Sequence, residues 1–126
     1  MLRALLGIAR SVGLAALLVA AFGRLAVAHA GHDEQLQRLD AAIAQQPASQ
    51  TLLIERAALH TQAHRFALAQ ADFNRAETLG APVAVAYHRA LLHEALGEYT
   101  AARSALNSYL QEFPTAHYAL DARARV

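Results

Sequence analysis

Shifted against itself by 33 residues, the chain places Arg56-Ala57-Ala58-Leu59-His60 on Arg89-Ala90-Leu91-Leu92-His93. The same offset sets Phe66 on Tyr99, Ala69 on Ala102 and Phe73 on Leu106. Aromatic, small and large apolar positions recurring at one offset signal a repeat architecture, in which each copy buries its apolar face on a neighbour. A chain of 126 residues has room for one domain built this way.

Within each copy the period is that of a helix. Leu52, Leu53 and Leu59, then Phe66, Ala69, Phe73 and Ala76, fall at spacings of three, four and seven. Breaks lie between these stretches. Pro47 ends the first, with Ser49 placed to cap the next. Gly80-Ala81-Pro82 ends the third and opens the fourth, Gly97 turns the second copy, and Pro114-Thr115 marks the last boundary. These signals predict helices over 33–46, 50–63, 66–79, 83–96, 99–112 and 116–125. No stretch alternates with period two, so the expected fold class is all-α, without strands.

Two helices of about 14 residues in a unit of about 34 match the tetratricopeptide pattern, and the chain resembles that family over roughly residues 33–126. Leu53, Ala57 and His60 stand at the large, small and aromatic positions of a first helix, and Phe66, Ala69, Phe73 and Ala76 at those of a second. In the next copy these become Ala86, Ala90, His93, Tyr99, Ala102, Leu106 and Tyr109, with Pro114 at the closing proline. The sequence departs from the pattern at His60 and His93, where tyrosine is usual, at Arg56 and Arg89, where leucine is usual, and at Tyr109, where a small residue is usual. The resemblance implies a short right-handed solenoid of antiparallel helix hairpins. Its units would be residues 50–82 and 83–115, with lone helices at 33–46 and 116–125 as caps. Ala57 and Ala69 would then lie where paired helices cross, and Phe66 and Tyr99 would fill the space between hairpins. Arg123 and Arg125 would keep the last helix soluble.

The first thirty residues read differently. Two arginines precede residue 11, an uncharged apolar run follows to Phe22, and Ala26-Val27-Ala28-His29-Ala30 offers two small-x-small sites. Those are the parts of a secretory signal peptide, cut after Ala28 or Ala30. The expectation is an exported, periplasmic domain of residues 31–126. The alternative is an uncleaved inner-membrane anchor over residues 4–22, although Arg10 leaves a clean run shorter than the ~20 residues a bilayer needs.

Charge narrows the partners. Of eleven basic residues, all arginine, three lie in that leader, so eight face ten acids beyond residue 30, a net of −2. Such a balance has no basic stripe for a phosphate backbone, and nucleic acid is not an expected partner. Cysteine is absent, which removes disulfides, thiolate metal sites and cysteine nucleophiles. The glycines form no phosphate-cradling cluster, and Ser104 and Ser108 lack an activating base. No enzyme activity and no cofactor are expected.

Histidines pose the competing reading. His60 and His64 stand four apart on what reads as one helix, a spacing at which two imidazoles can share a zinc ion. His29 and His32, near the new terminus, could hold copper, zinc or nickel loosely. A periplasmic metal-handling protein is therefore the alternative function. Against it, His60 recurs as His93 at a packing position, and His32-Asp33-Glu34 reads as the acidic first turn of a helix.

The favoured expectation is an interaction module or assembly adaptor of the bacterial envelope. In the resembled family, ligand peptides lie along the face made by the first helices. The matching positions are Thr51, Ile54, Ala58, Thr61, Gln62, Ala84, Tyr87, Leu91, Glu94 and Ala95, with Tyr118 and Asp121 beyond. This face has one aromatic, Tyr87, and no basic cluster, so it suits a helix or an extended apolar segment of a protein partner. So short a stack also invites self-association.

Overall fold

A computed structural model describes residues 31–125. The export-signal and anchor segments, and His29, lie outside the described residues. The core lies within the compact unit Leu36–Val126. Among the described residues there are six helices and no strand: α1 (31–45), α2 (Gln50–Gln62), α3 (Phe66–Leu79), α4 (Val83–Ala95), α5 (Tyr99–Glu112) and α6 (Ala119–Arg125). None of them is long and apolar enough to cross a membrane.

Contacts run mainly between sequential pairs, α2 on α3 and α4 on α5, with α4 also meeting both helices of the first pair and α6 packing on α5. Ala57, Ala69 and Ala90 are fully buried and Ala102 nearly so. Their small side chains let paired axes approach to the ~8–10 Å of packed helices. Two apolar clusters result. One gathers Ile43, Leu53, Ala57, Ala69, Phe73, Ala76, Val85 and Leu92, and the other Tyr87, Ala90, Ala102, Leu106, Tyr109 and Ala122. Phe73, fully buried, alone contributes about 1.5–3 kcal/mol.

The 33-residue offset reappears in the backbone. α2 and α4 each have 13 residues, and α3 and α5 each have 14. Both inner turns close in the same way. Arg65 N donates to His60 O and Glu98 N to His93 O, each at 2.8 Å, while Ala63 N and Leu96 N donate to Leu59 O and Leu92 O. This six-to-one bond is the Schellman closure, which puts the residue after the cap in the left-handed region. Gly97 fills that place freely at φ +77°, and His64 fills it in the first copy at φ +57°, where a side chain is disfavoured by about 1–2 kcal/mol. Ser49 caps α2, its Oγ accepting from Leu52 N at 3.3 Å.

Charged side chains join the helices, within a pair and between pairs. Arg56 on α2 donates Nε and Nη2 to the two oxygens of Asp72 on α3, both at 2.7 Å, and Nη1 to Asp40 on α1 at 2.8 Å. Its repeat counterpart, Arg89, reaches back to α3 instead, giving Nε to Glu77 at 2.9 Å and Nη2 to Asn74 at 3.1 Å, with its guanidinium 5.5 Å from the Phe73 ring centre. Arg125 donates to both Asp121 and Glu94, and Arg123 to Pro114 O. These last two arginines therefore pin α6 rather than merely solvate it.

Three expectations need correction. α6 begins at Ala119, not 116, because residues 114–118 form consecutive turns closed by Ala116 N to Phe113 O and Ala119 N to Ala116 O. Tyr99 does not fill a space between hairpins: it is 72% exposed. Phe66 is covered by a cluster to which 13-residue α4 gives Val85 and Leu92, whereas only seven-residue α6 follows α5. His64 is not on α2, which ends at Gln62.

Asp72 is buried and holds one face of the Arg56 guanidinium. Asp72→Ala therefore leaves the guanidinium to Asp40 alone above a space on α3, and the expected loss is about 1–3 kcal/mol in denaturant unfolding. Replacing both partners, Arg56→Met with Asp72→Leu, removes the charge together with its demand and costs much less than the single change. Equal losses from the single and double variants would show that the ion pair is not what joins α2 to α3.

Candidate functional site

The two pairs meet with their first helices, α2 and α4, on one side, and the turn before α6 closes that side. Between them lies a cleft of about 430 Å³, lined by Ala58, Thr61, Gln62, His64, Tyr87, His88, Leu91, Ala95 and Tyr118. The spacing of Ala58, Thr61 and Gln62 puts them on one stripe of α2, and that of Tyr87, His88, Leu91 and Ala95 on one stripe of α4.

Of the residues expected from sequence, the structure brings together Ala58, Thr61, Gln62, Tyr87, Leu91, Ala95 and Tyr118. It does not bring in Thr51, Ile54, Ala84 or Glu94. Ile54 packs against the first core cluster, Glu94 is taken by Arg125, and Thr51 is exposed away from the lining. Asp121 lies behind the cleft, accepting from Tyr87 Oη at 2.6 Å. Two lining residues, His64 and His88, are not among the expected groove positions. His88 was legible, since it continues the α4 stripe three residues before Leu91; His64 enters only through the left-handed turn.

Tyr87 differs from its expected role. It lines the cleft yet is only 6% exposed, roofed by Tyr118 with ring centres 4.3 Å apart and planes at 9°. Burial, and next the bond to Asp121, push its phenol up to about 12. That bond also holds the Asp121 carboxyl below its ordinary range, with Arg125 adding to the effect. His88 meets the rings of Tyr87 and Tyr118 edge-on, at 5.2 and 5.4 Å. Thr61 Oγ donates to Ala57 O at 2.9 Å and so keeps its oxygen free to accept.

The histidines separate into different environments. His60 is buried and His64 exposed, its ring 5.5 Å from Phe66, so the pair is not set on one helical face to share an ion. Among the described residues no three histidine or acid side chains are grouped to hold a metal. His93 Nδ1 lies 2.6 Å from Glu98. The Nδ1 atoms of His60 and His88 are buried and meet no hydrogen-bond partner. Burial lowers the pKa of both; near His60 the Asp72 carboxylate opposes that shift and the Arg56 guanidinium adds to it.

No family model, no curated protein and no solved structure matches the chain.

The two buried imidazoles set a pH dependence with a defined sign. Unfolded, each takes up a proton near its ordinary value of 6.5, whereas folded it resists protonation to a lower pH. The unfolded chain then binds more protons as pH falls below about 6.5, so stability is complete above that value and declines through the folded values. Melting temperature should hold from pH 8 to 7 and drop towards pH 5. His88→Phe and His60→Leu should each flatten the drop; an unchanged profile in both would mean that other groups cause it.

Proposed function

We propose that this chain is a divergent tetratricopeptide-type interaction module of the bacterial envelope that binds a segment of another protein in the α2–α4 cleft. In this reading residues 50–82 and 83–115 are two full units of a right-handed solenoid, and α1 and α6 are half-units at its ends. Residues 1–30 serve export to the periplasm, or anchor the domain at the inner membrane through residues 4–22. The module holds a partner and carries out no reaction.

One observation carries the binding role: the cleft is formed by both first helices, with Ala58 and Gln62 on α2 answered 33 residues on by Leu91 and Ala95 on α4, and its lining is mainly apolar with a few polar edges. Open apolar concavities of that kind are the usual seats of helical or extended peptide segments. The repeat offset in helix lengths and turn bonds supports the assignment of units. Arg56 supports α1 as a half-unit, because it reaches back to α1 as Arg89 reaches back to α3.

A photo-crosslinking side chain placed at Gln62 or Ala95, both exposed and lining the cleft, tests this in cells. Positions Asn107 and Gln111, exposed on α5, serve as controls. The expected result is one shared adduct from the first two positions and none from the second two. The same adducts from all four, or none from Gln62 and Ala95, would end the reading.

A further inference from the structure

The aromatic rings behind the cleft form a connected run. Phe113 and Tyr109 lie 5.4 Å apart, Tyr109 and Tyr87 5.6 Å, and Tyr87 stacks on Tyr118 at 4.3 Å. Tyr109 and Tyr87 are buried, so the inner part of the run is closed. Its last ring is not. Tyr118 keeps 39% of its surface open and lines the cleft, with Tyr87 stacked on one face and the rings of His88 and His117 meeting it at steep angles, 5.4 and 4.9 Å away. A stacked aromatic surface ending at an apolar concavity is suited to accept one more ring.

Charge narrows the occupant further. No aspartate, glutamate or arginine lines the cleft. Beside it, Asp121 accepts from Tyr87 and Arg125, and Arg125 also holds Glu94. An entering ammonium would lose its hydration and meet no carboxylate of the lining, and an entering carboxylate would meet only the imidazoles of His64 and His88. The polar edge offers instead Thr61 Oγ, still able to accept, and the Gln62 amide. The complementary anchor is uncharged, planar, and carries an N–H or O–H.

We infer that the partner segment is anchored by a tryptophan or tyrosine side chain whose ring extends the stack on Tyr118, within an otherwise uncharged stretch. This rests on the reading that the cleft receives a protein segment.

Three capped, uncharged 12-residue peptides differing at one central position, tryptophan, leucine or aspartate, provide the probes. They are titrated against the full chain with its alanine and leucine methyl groups labelled for NMR. The tryptophan peptide should shift the Ala58, Ala95 and Leu91 methyls and bind roughly five- to tenfold tighter than the leucine peptide, the scale of one aromatic contact. The aspartate peptide should be the weakest. Tyr118→Phe keeps the ring and should keep the preference, whereas Tyr118→Leu keeps apolar area and should abolish it. Equal binding of the leucine and tryptophan peptides at those methyls, or a preference that survives Tyr118→Leu, overturns the aromatic anchor and leaves the cleft as a docking site. If no peptide moves those methyls while Gln62 and Ala95 still crosslink to a protein, the anchor chemistry alone is refuted. If crosslinking also fails, the docking site falls with it.

Discussion

Close approach of paired helices is the constraint on which the rest of this structure depends. It is met by alanine at four points, Ala57 against α3, Ala69 against α2, Ala90 against α5 and Ala102 against α4, all buried. A larger side chain at any of them would separate the axes and open the cluster around Phe73 or around Leu106. Because the four positions are two positions taken twice, the second pair reproduces the first, including turns that close through the same backbone bonds. The cleft is a consequence of that. Two similar first helices placed side by side leave a trough whose lining shares two repeat positions, Ala58 with Leu91 and Gln62 with Ala95, and differs at the others.

Ion pairs tie helices together around the apolar clusters, both within the first pair and between neighbouring helices. Arg56, Arg89 and Arg125 each reach from their own helix to a neighbour, and each finds an acidic partner there. Guanidinium suits this use, since its planar fork can satisfy two acceptors at once while its stem lies along apolar surface. Arg56 shows the arrangement in full, with Asp72 gripped by two bonds and Asp40 by a third. Arg89 cannot copy it: the position matching Asp72 is Ala105, so its guanidinium turns to Glu77, Asn74 and the Phe73 ring. Two arginines at one repeat position thus do different local work with the same result, the attachment of one helix to the one before it.

Much of the fold could be read from sequence because it is governed by local signals. Ser49, Gly80, Pro82 and Gly97 punctuate the chain in terms of backbone chemistry, and α2 to α5 start and stop within a residue of the positions these imply. Where legibility failed, the controlling contact is distant in sequence. Tyr87 matched a groove position, but Tyr118, 31 residues away, covers its ring and Asp121 holds its hydroxyl. Tyr99 matched Phe66 by offset, yet exposure depends on the length of the next helix along the chain, which an offset cannot express. His64 looked helical by its spacing from His60, and it is the left-handed turn residue instead, because the repeat needs its turn there and no glycine stands at that place. Arg56 and Arg89 stood out as departures from an apolar pattern without revealing which acids they would meet.

In the proposed reading one 33-residue hairpin, used twice, supplies most of the core and, with Tyr118, the cleft. The most direct test of that claim inserts a third copy of residues 83–115 after Thr115 and measures helix content and thermal unfolding together. A modular unit should add its own helices and contribute a further interface, so helicity rises in proportion to length and the midpoint rises in one cooperative transition. Loss of cooperative unfolding, or a midpoint that falls while the added residues stay unstructured, would show that the two hairpins are not interchangeable units and that the cleft is not a product of repetition.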